Sequence, residues 1–247
     1  MHSTMNGFTG PLSAPERNHF FYGLLMGVAE FEKDDRYVNL KRSLINRMIV
    51  GRGVICGLNV TADGENVVVS PGIAIDGWGR EVIVSEPLPC DLHALTDDEG
   101  KPTGTTVGDG ATVSICLTYA ETNADPVPVL VADCDTPGSC APSTVVERGV
   151  LLVRETQAPA PEPPGCQLQQ DFPLPANPDL HSILANRLAT GCPDWSNPGD
   201  PCIQLARVTL GAPNQIDAVG GRQLVYSNAL LYELLLCLAA RVESLMP

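Results

Sequence analysis

The residues best placed to do chemistry lie in one stretch, VVVSPGIAIDGWGREVIV at 67–84. Asp76 and Glu81 stand on either side of a Gly-Trp-Gly turn, with Arg80 beside them. Two carboxylates flanking a bond are what glycoside hydrolysis needs, one donating a proton while the other attacks or activates water. The competing reading is structural. Aspartate favours turn starts because its carboxylate bonds amides two residues on, and Gly77 and Gly79 suit positive φ. Period-two alternation puts Ile73 with Ile75 on one face of a strand, and Val82 with Val84 on one face of the next. The stretch therefore reads as a hairpin whose structural turn is Asp76, Gly77 and Gly79, with Arg80 and Glu81 emerging to solvent. On that reading the turn geometry matters and the carboxylates are dispensable.

Cysteine is the next candidate. Of nine cysteines, Cys56, Cys116 and Cys237 sit in apolar runs and are expected to pack as small hydrophobes. Cys134, Cys140, Cys166, Cys192 and Cys202 lie in loops rich in Pro and Gly. The spacings CDTPGSC (Cys134, Cys140) and CPDWSNPGDPC (Cys192, Cys202) do not match the close pairs of zinc ribbons, so no metal is assigned. Metal, a local disulfide across each loop, and free thiols all stay open for these four residues. His2, His19, His93 and His181 are scattered, and no GxSxG, HExxH, Walker or GxGxxG motif occurs. No catalytic residue and no cofactor follow from the sequence.

A formal net charge of −14 over 247 residues argues against binding nucleic acid, which needs a basic surface. Six of the 15 basic residues nevertheless fall between 33 and 52. Lys41, Arg42, Arg47 and Arg52 in this group could dock an acidic partner, or could be a solvated helix face. The N-terminus lacks a basic stretch followed by an apolar one, so no secretory signal is expected. The most apolar run, 229–240, is too short to cross a membrane, so membrane insertion is not expected either.

These residues must be positioned by an α+β fold: an N-terminal helix, a core of antiparallel β-hairpins resembling a sandwich, and a C-terminal amphipathic helix. Residues 1–18 read as a mobile tail. Within 19–53, the aromatic run His19-Phe20-Phe21-Tyr22 is expected to anchor on a core, ahead of a helix over 30–50 that Gly51 and Gly53 end. The β-rich core over 54–155 has strands at 54–60, 66–70, 72–75, 80–85, 111–119 and 145–155, with a loop between the last two. Residues 156–178 form a Pro-rich surface connection, since proline enters neither sheet nor helix interiors. Residues 179–221 carry most of a helix over 177–189, a cysteine loop and a strand over 202–210. A helix over 222–244 closes the chain, within a segment 222–247. Leu224, Leu231, Leu238 and Leu245 recur there every seven residues, widened by Leu234, Leu235 and Val242, a pattern of helices winding around each other. Leu224, Leu231, Leu234, Leu238, Val242 and Leu245 are the expected subunit interface, the competing reading being a core helix of this same domain.

The ordered segments FFYGLLMGVAEFEKDDRYVNLKRSLINRMIVGRGVICGLNV, VVVSPGIAIDGWGREVIV, PVPVLVADCD, CAPSTVVERGVLLV and LVYSNALLYELLLCLAARV carry a resemblance. Together they resemble a family of phage-tail-like proteins that accompany the baseplates of contractile injection systems. The resemblance implies a non-enzymatic structural component, at or near the baseplate or spike, made in the bacterial cytoplasm and incorporated in the particle. It implies copies of itself as partners, a trimer about the particle's three-fold axis, together with other baseplate, spike or sheath proteins. No catalytic residues come with it. A different class of function, a metal-dependent enzyme or a carbohydrate-binding module, would use the cysteine loops or the Asp76 hairpin.

Overall fold

The computed structural model of the chain describes residues 14–129, 140–156, 185, 189 and 199–245. The fold is mixed α+β and predominantly β, with helices before and after four antiparallel sheets. Helix α1 (Val28–Ile45) begins where Glu30 Oε2 accepts the Gly27 amide at 2.8 Å. It widens into a π-helical turn, Asn46–Val50, and Gly51 at φ +88° ends it. The aromatic segment before α1 is not an anchor. Phe20 and Phe21 are more than half exposed and Tyr22 fully so. Polar contacts hold this segment instead, Asn18 Nδ2 donating to Glu30 O at 2.6 Å.

Strands β1 (Gly53–Gly57), β4 (Gly72–Ile75) and β5 (Glu81–Val84) form one sheet in the order β1-β4-β5. Strands β2 (Val60–Asp63), β3 (Asn66–Val69) and β6 (Leu88–Cys90) form a second in the order β2-β3-β6. The single strand expected over 54–60 is broken, because Gly57 and Leu58 both take positive φ, +65° and +56°. A small hairpin pairs β7 (Ala94–Thr96) with β8 (Pro102–Thr106). The fourth sheet, in the order β10-β9-β11-β12, contains β9 (Thr112–Pro128), β10 (Cys140–Glu155), β11 (Ile203–Thr209) and β12 (Gln215–Asp217).

One apolar core joins these sheets. Val67 and Val69, Val82 and Val84, Val113, Ile115 and Leu117, and Ile203 and Leu205 meet in it. Each side chain so buried contributes about 1.5–3 kcal/mol. The strand at 203–209 thus shares a core with the section over 54–155. Within the central hairpin, Ala74 pairs with Val82 on the core face, while Ile73 pairs with Ile83 on the other. Burial alternates along β5 as expected, Val82 and Val84 inside and Ile83 out, but not along β4, where Ala74 and Ile75 are both buried.

Two elements leave this body. Strands β9 and β10 continue past it as a two-stranded arm, exposed along most of 121–128 and 140–148. The loop expected between 119 and 145 is in part paired strand, with Pro126 opposite Pro142 in the ladder. A ribbon with open edges tolerates residues that cannot donate. The second element is helix α2 (Asn228–Leu245). It starts six residues later than 222, because Leu224 is held in a parallel bridge to Val54. Val54 N donates to Gln223 O (2.8 Å) and Val225 N to Val54 O (2.9 Å). Leu224 is therefore not a helix residue, and the heptad loses its first member. On α2, Leu230, Leu231, Leu234, Leu235 and Leu236 are between 42% and 64% exposed. Among the described residues no helix is long and apolar enough to cross a membrane.

The cysteines are arranged differently from expectation. Cys116 and Cys202 form a disulfide across 86 residues of chain, their Cα atoms 5.7 Å apart, beside Leu152 and Val150. Cys202 is thereby paired with a strand residue and not with Cys192. Cys56 and Cys237 are exposed where packing had been expected, and Cys140 is exposed also. Cys134, Cys166 and Cys192 lie outside the described residues, as do the 157–178 connection and all but two positions of the helix expected over 177–189. Cys90 is buried, and burial, then the Asp91 charge, push its thiol up to about 12. Peptide mapping of unreduced protein should recover a Cys116–Cys202 crosslinked pair. Reduction, or Cys202→Ser, should lower stability by up to about 4–5 kcal/mol, the chain-entropy value for a loop this long. A mapped Cys192–Cys202 pair would contradict the arrangement.

Candidate functional site

The β4–β5 turn is where helix, sheet and the 199–202 segment converge, and Asp76 organises it. Its carboxylate is fully buried. Oδ1 accepts the amides of Trp78 and Arg80, both at 2.9 Å. Oδ2 accepts both Nε and a terminal nitrogen of Arg80, each at 2.7 Å, so one carboxylate oxygen takes two charge-assisted bonds. Arg80 does not emerge to solvent as the sequence suggested. Its guanidinium lies 4.5 Å from the ring centroids of both Trp78 and Tyr119, a cation between two aromatic faces.

Glu81 is also committed. Its Oε1 accepts from Asn46 Nδ2 at 2.8 Å, and its Oε2 pairs with Arg42 Nε at 3.0 Å. Asn46 Nδ2 also donates to Gly79 O at 2.9 Å, so the end of α1 is docked on the turn. Both acids proposed as an acid/base pair thus hold the turn and the helix upon it. The four hydrogen bonds of Asp76 argue against the expectation that its carboxylate is dispensable.

The two turn glycines serve different needs. Gly79 has φ +84°, and a Cβ there would lie 2.3 Å from Ser43 O on α1. Gly77 does not take positive φ; a Cβ there would crowd Asp200 O and Pro201 Cα, each at 3.1 Å. Its amide donates to Pro201 O at 3.0 Å.

The basic residues picked out on and after α1 are divided among these contacts. Arg42 pairs with Glu81, as above. Arg47 stacks its side chain by Gly79, and burial lowers its pKa while the nearby Asp76 charge opposes that. Arg52 reaches the Gln223 amide oxygen, its Nε donating at 3.1 Å, and lies near the Asp200 charge. Lys41 sits 5.5 Å from the Tyr37 ring centroid. Arg42, Arg47 and Arg52 thus make contacts within the chain.

A cavity opens beside the turn, with a volume of about 530 Å³. Trp78, Arg80, Tyr119 and Leu152 are among its lining residues. Arg154 crosses it from β10, donating to Asp98 Oδ1 at 2.8 Å and to Asp200 Oδ2. Burial works against the Asp200 carboxylate, but the Cys202 amide and Arg154 outweigh it and hold its pKa below the ordinary value. Burial first, then Glu121 and Glu147, push the Tyr119 phenol well above its ordinary range, so Tyr119 is a donor here. Trp78 Nε1 donates to Gly199 O at 3.2 Å. Sequence reasoning missed Asp98, Tyr119, Arg154 and Asp200. They come from four segments with no common spacing, and only strand pairing and the disulfide bring them together.

Among the described residues, no three His, Cys, Asp or Glu side chains are grouped to hold a metal. His93 is instead bonded through Nδ1 to Val107 O at 3.0 Å. No protein-family model matches the chain, and no curated protein is similar to it.

Two predictions follow from the turn. Asp76→Asn leaves Arg80 without its counter-charge and should cost about 3–5 kcal/mol in urea unfolding, the range for breaking a buried pair. Glu81→Gln, on a partly exposed pair, should cost about 1 kcal/mol or less. Equal costs would contradict the ranking. Separately, Gly64→Ala, at φ +63° in open space, should cost about 1–2 kcal/mol from backbone strain alone. Gly79→Ala should cost clearly more, because the helix must also move. A Gly79→Ala cost no greater than that of Gly64→Ala would show that α1 is not seated on the turn.

Proposed function

We propose that this chain is a non-enzymatic structural subunit of a contractile phage-tail-like injection particle, at or near its baseplate or spike. The observation that carries the structural role is helix α2. Its leucines are exposed on several sides at once, at 230, 231, 234, 235 and 236. A helix that is apolar all round is stable only when buried, so these side chains call for a cover outside the described body. The heptad that remains after Leu224 is removed, Leu231, Leu238 and Leu245 with Leu234 and Val242, suits packing against the same helix of other copies. The exposed β9–β10 arm and the apolar residues around α1 offer further surface to neighbouring subunits.

The resemblance in segment order supports the particle, and the three-fold symmetry of such particles supports a trimer. The partners are then copies of this chain and other baseplate, spike or sheath proteins. On this reading the protein is made in the bacterial cytoplasm and leaves it within the particle. The central hairpin is a rigid mount, and the helices and arm are the connections.

Light scattering of the purified chain should give three times the 26.2 kDa protomer mass. Each leucine buried in the interface contributes about 1.5–3 kcal/mol, so Leu231→Asp with Leu234→Asp should yield monomers whose β core melts normally. A folded wild-type monomer, or an oligomer that survives both substitutions, would contradict the interface. Electron micrographs of particles from strains with and without the gene test the particle itself. Density for this chain near the baseplate is expected, and intact particles lacking any such density would overturn it.

A further inference from the structure

The cavity beside the Asp76 turn is not used by an assembly role, and its chemistry is specific. Its volume of about 530 Å³ falls inside the roughly 300–1,000 Å³ typical of small-ligand sites. Both guanidinium groups in its wall already face carboxylates: Arg80 faces Asp76, while Arg154 faces Asp98 and Asp200. A charged ligand would have to compete with these pairs and bear the desolvation of its own charge. A neutral polar ligand would not.

The remaining features describe that ligand further. Trp78, Leu152 and Pro201 give apolar wall, and the indole is held in place by the Arg80 stack and by its bond to Gly199 O. Beside them stand planar groups with hydrogen-bonding edges. Asp98 has a side chain 93% exposed, with one oxygen on Arg154. A carboxylate offers about four acceptor positions and a guanidinium five donors, so Asp98 and Arg154 can engage vicinal hydroxyls while still paired. A sugar ring has this same duality, apolar C–H faces and a polar hydroxyl edge. We propose that this cavity is a binding site for neutral carbohydrate, with a ring face on Trp78 and hydroxyls on Asp98 and Arg154. The inference is independent of the particle assignment, and either can fail alone.

The full chain tests it. The sequence has two tryptophans, so a Trp195→Phe background leaves Trp78 as the sole indole reporter. The probes are maltotriose, cellotriose and tri-N-acetylchitotriose, with deacetylated chitotriose as the charged counterpart of the last. At least one neutral trisaccharide should change Trp78 emission with a Kd in the low millimolar range or below, and should raise the melting temperature. Asp98→Ala, at an exposed position, should leave the unliganded melting temperature unchanged and weaken binding by about tenfold or more. Asp98→Asn, which keeps an acceptor, should recover part of the loss. No response to any neutral probe at about 20 mM overturns the proposal, as does unaltered binding in Asp98→Ala. So does tighter binding of the charged counterpart than of its neutral partner.

Discussion

A carboxylate with no exposure to water holds this molecule's geometry. Burying Asp76 is unfavourable by several kcal/mol unless its charge is matched and its lone pairs are filled. The turn answers both demands with the Arg80 guanidinium and two backbone amides. Each partner then constrains something else. Arg80 fixes the planes of Trp78 and Tyr119. The turn conformation brings Gly79 against α1 and Gly77 against the 199–201 segment. One buried ion pair thus connects a helix, two sheets and the cavity wall.

Local signals in the sequence were sound guides where the structure is local. The α1 helix and its glycine stop, the short strands at 66–69, 72–75 and 81–84, and the strand at 203–209 all follow from periodicity and turn residues. What could not be read was pairing over long distances. Nothing near Cys116 points to Cys202, and nothing near Tyr119 points to Arg80; topology alone brings them together. Leu224 illustrates a competition. Its heptad spacing favours a helix, but the Val54 ladder takes its backbone first and delays the helix to Asn228. In the arm, Pro126 and Pro128 hid a long ribbon because the usual penalty for proline applies to paired interior strands. Strands β6, β7 and β12 are three residues each, too short to show any period.

The contrast between body and extensions has a physical basis. The β body closes on a core of buried aliphatic side chains, and its polar turn is satisfied internally. Helix α2 does the reverse, presenting leucine at neighbouring positions around its circumference. Most of a helix's stability in a protein comes from packing its apolar face rather than from propensity. A two-stranded arm is weak by itself. The body is closed by contacts within the chain, whereas α2 and the arm are suited to gaining their stability from contact. That division is expected of a subunit whose fold precedes its assembly.

Hydrogen exchange across a dilution series tests this division most directly. The account predicts that the Trp78 and Arg80 amides, bonded to Asp76, exchange slowly and at the same rate at every concentration. The amides of α2 should exchange quickly in dilute solution and become protected as concentration rises. Concentration-independent protection of α2, or a turn that exchanges as fast as α2, would contradict it.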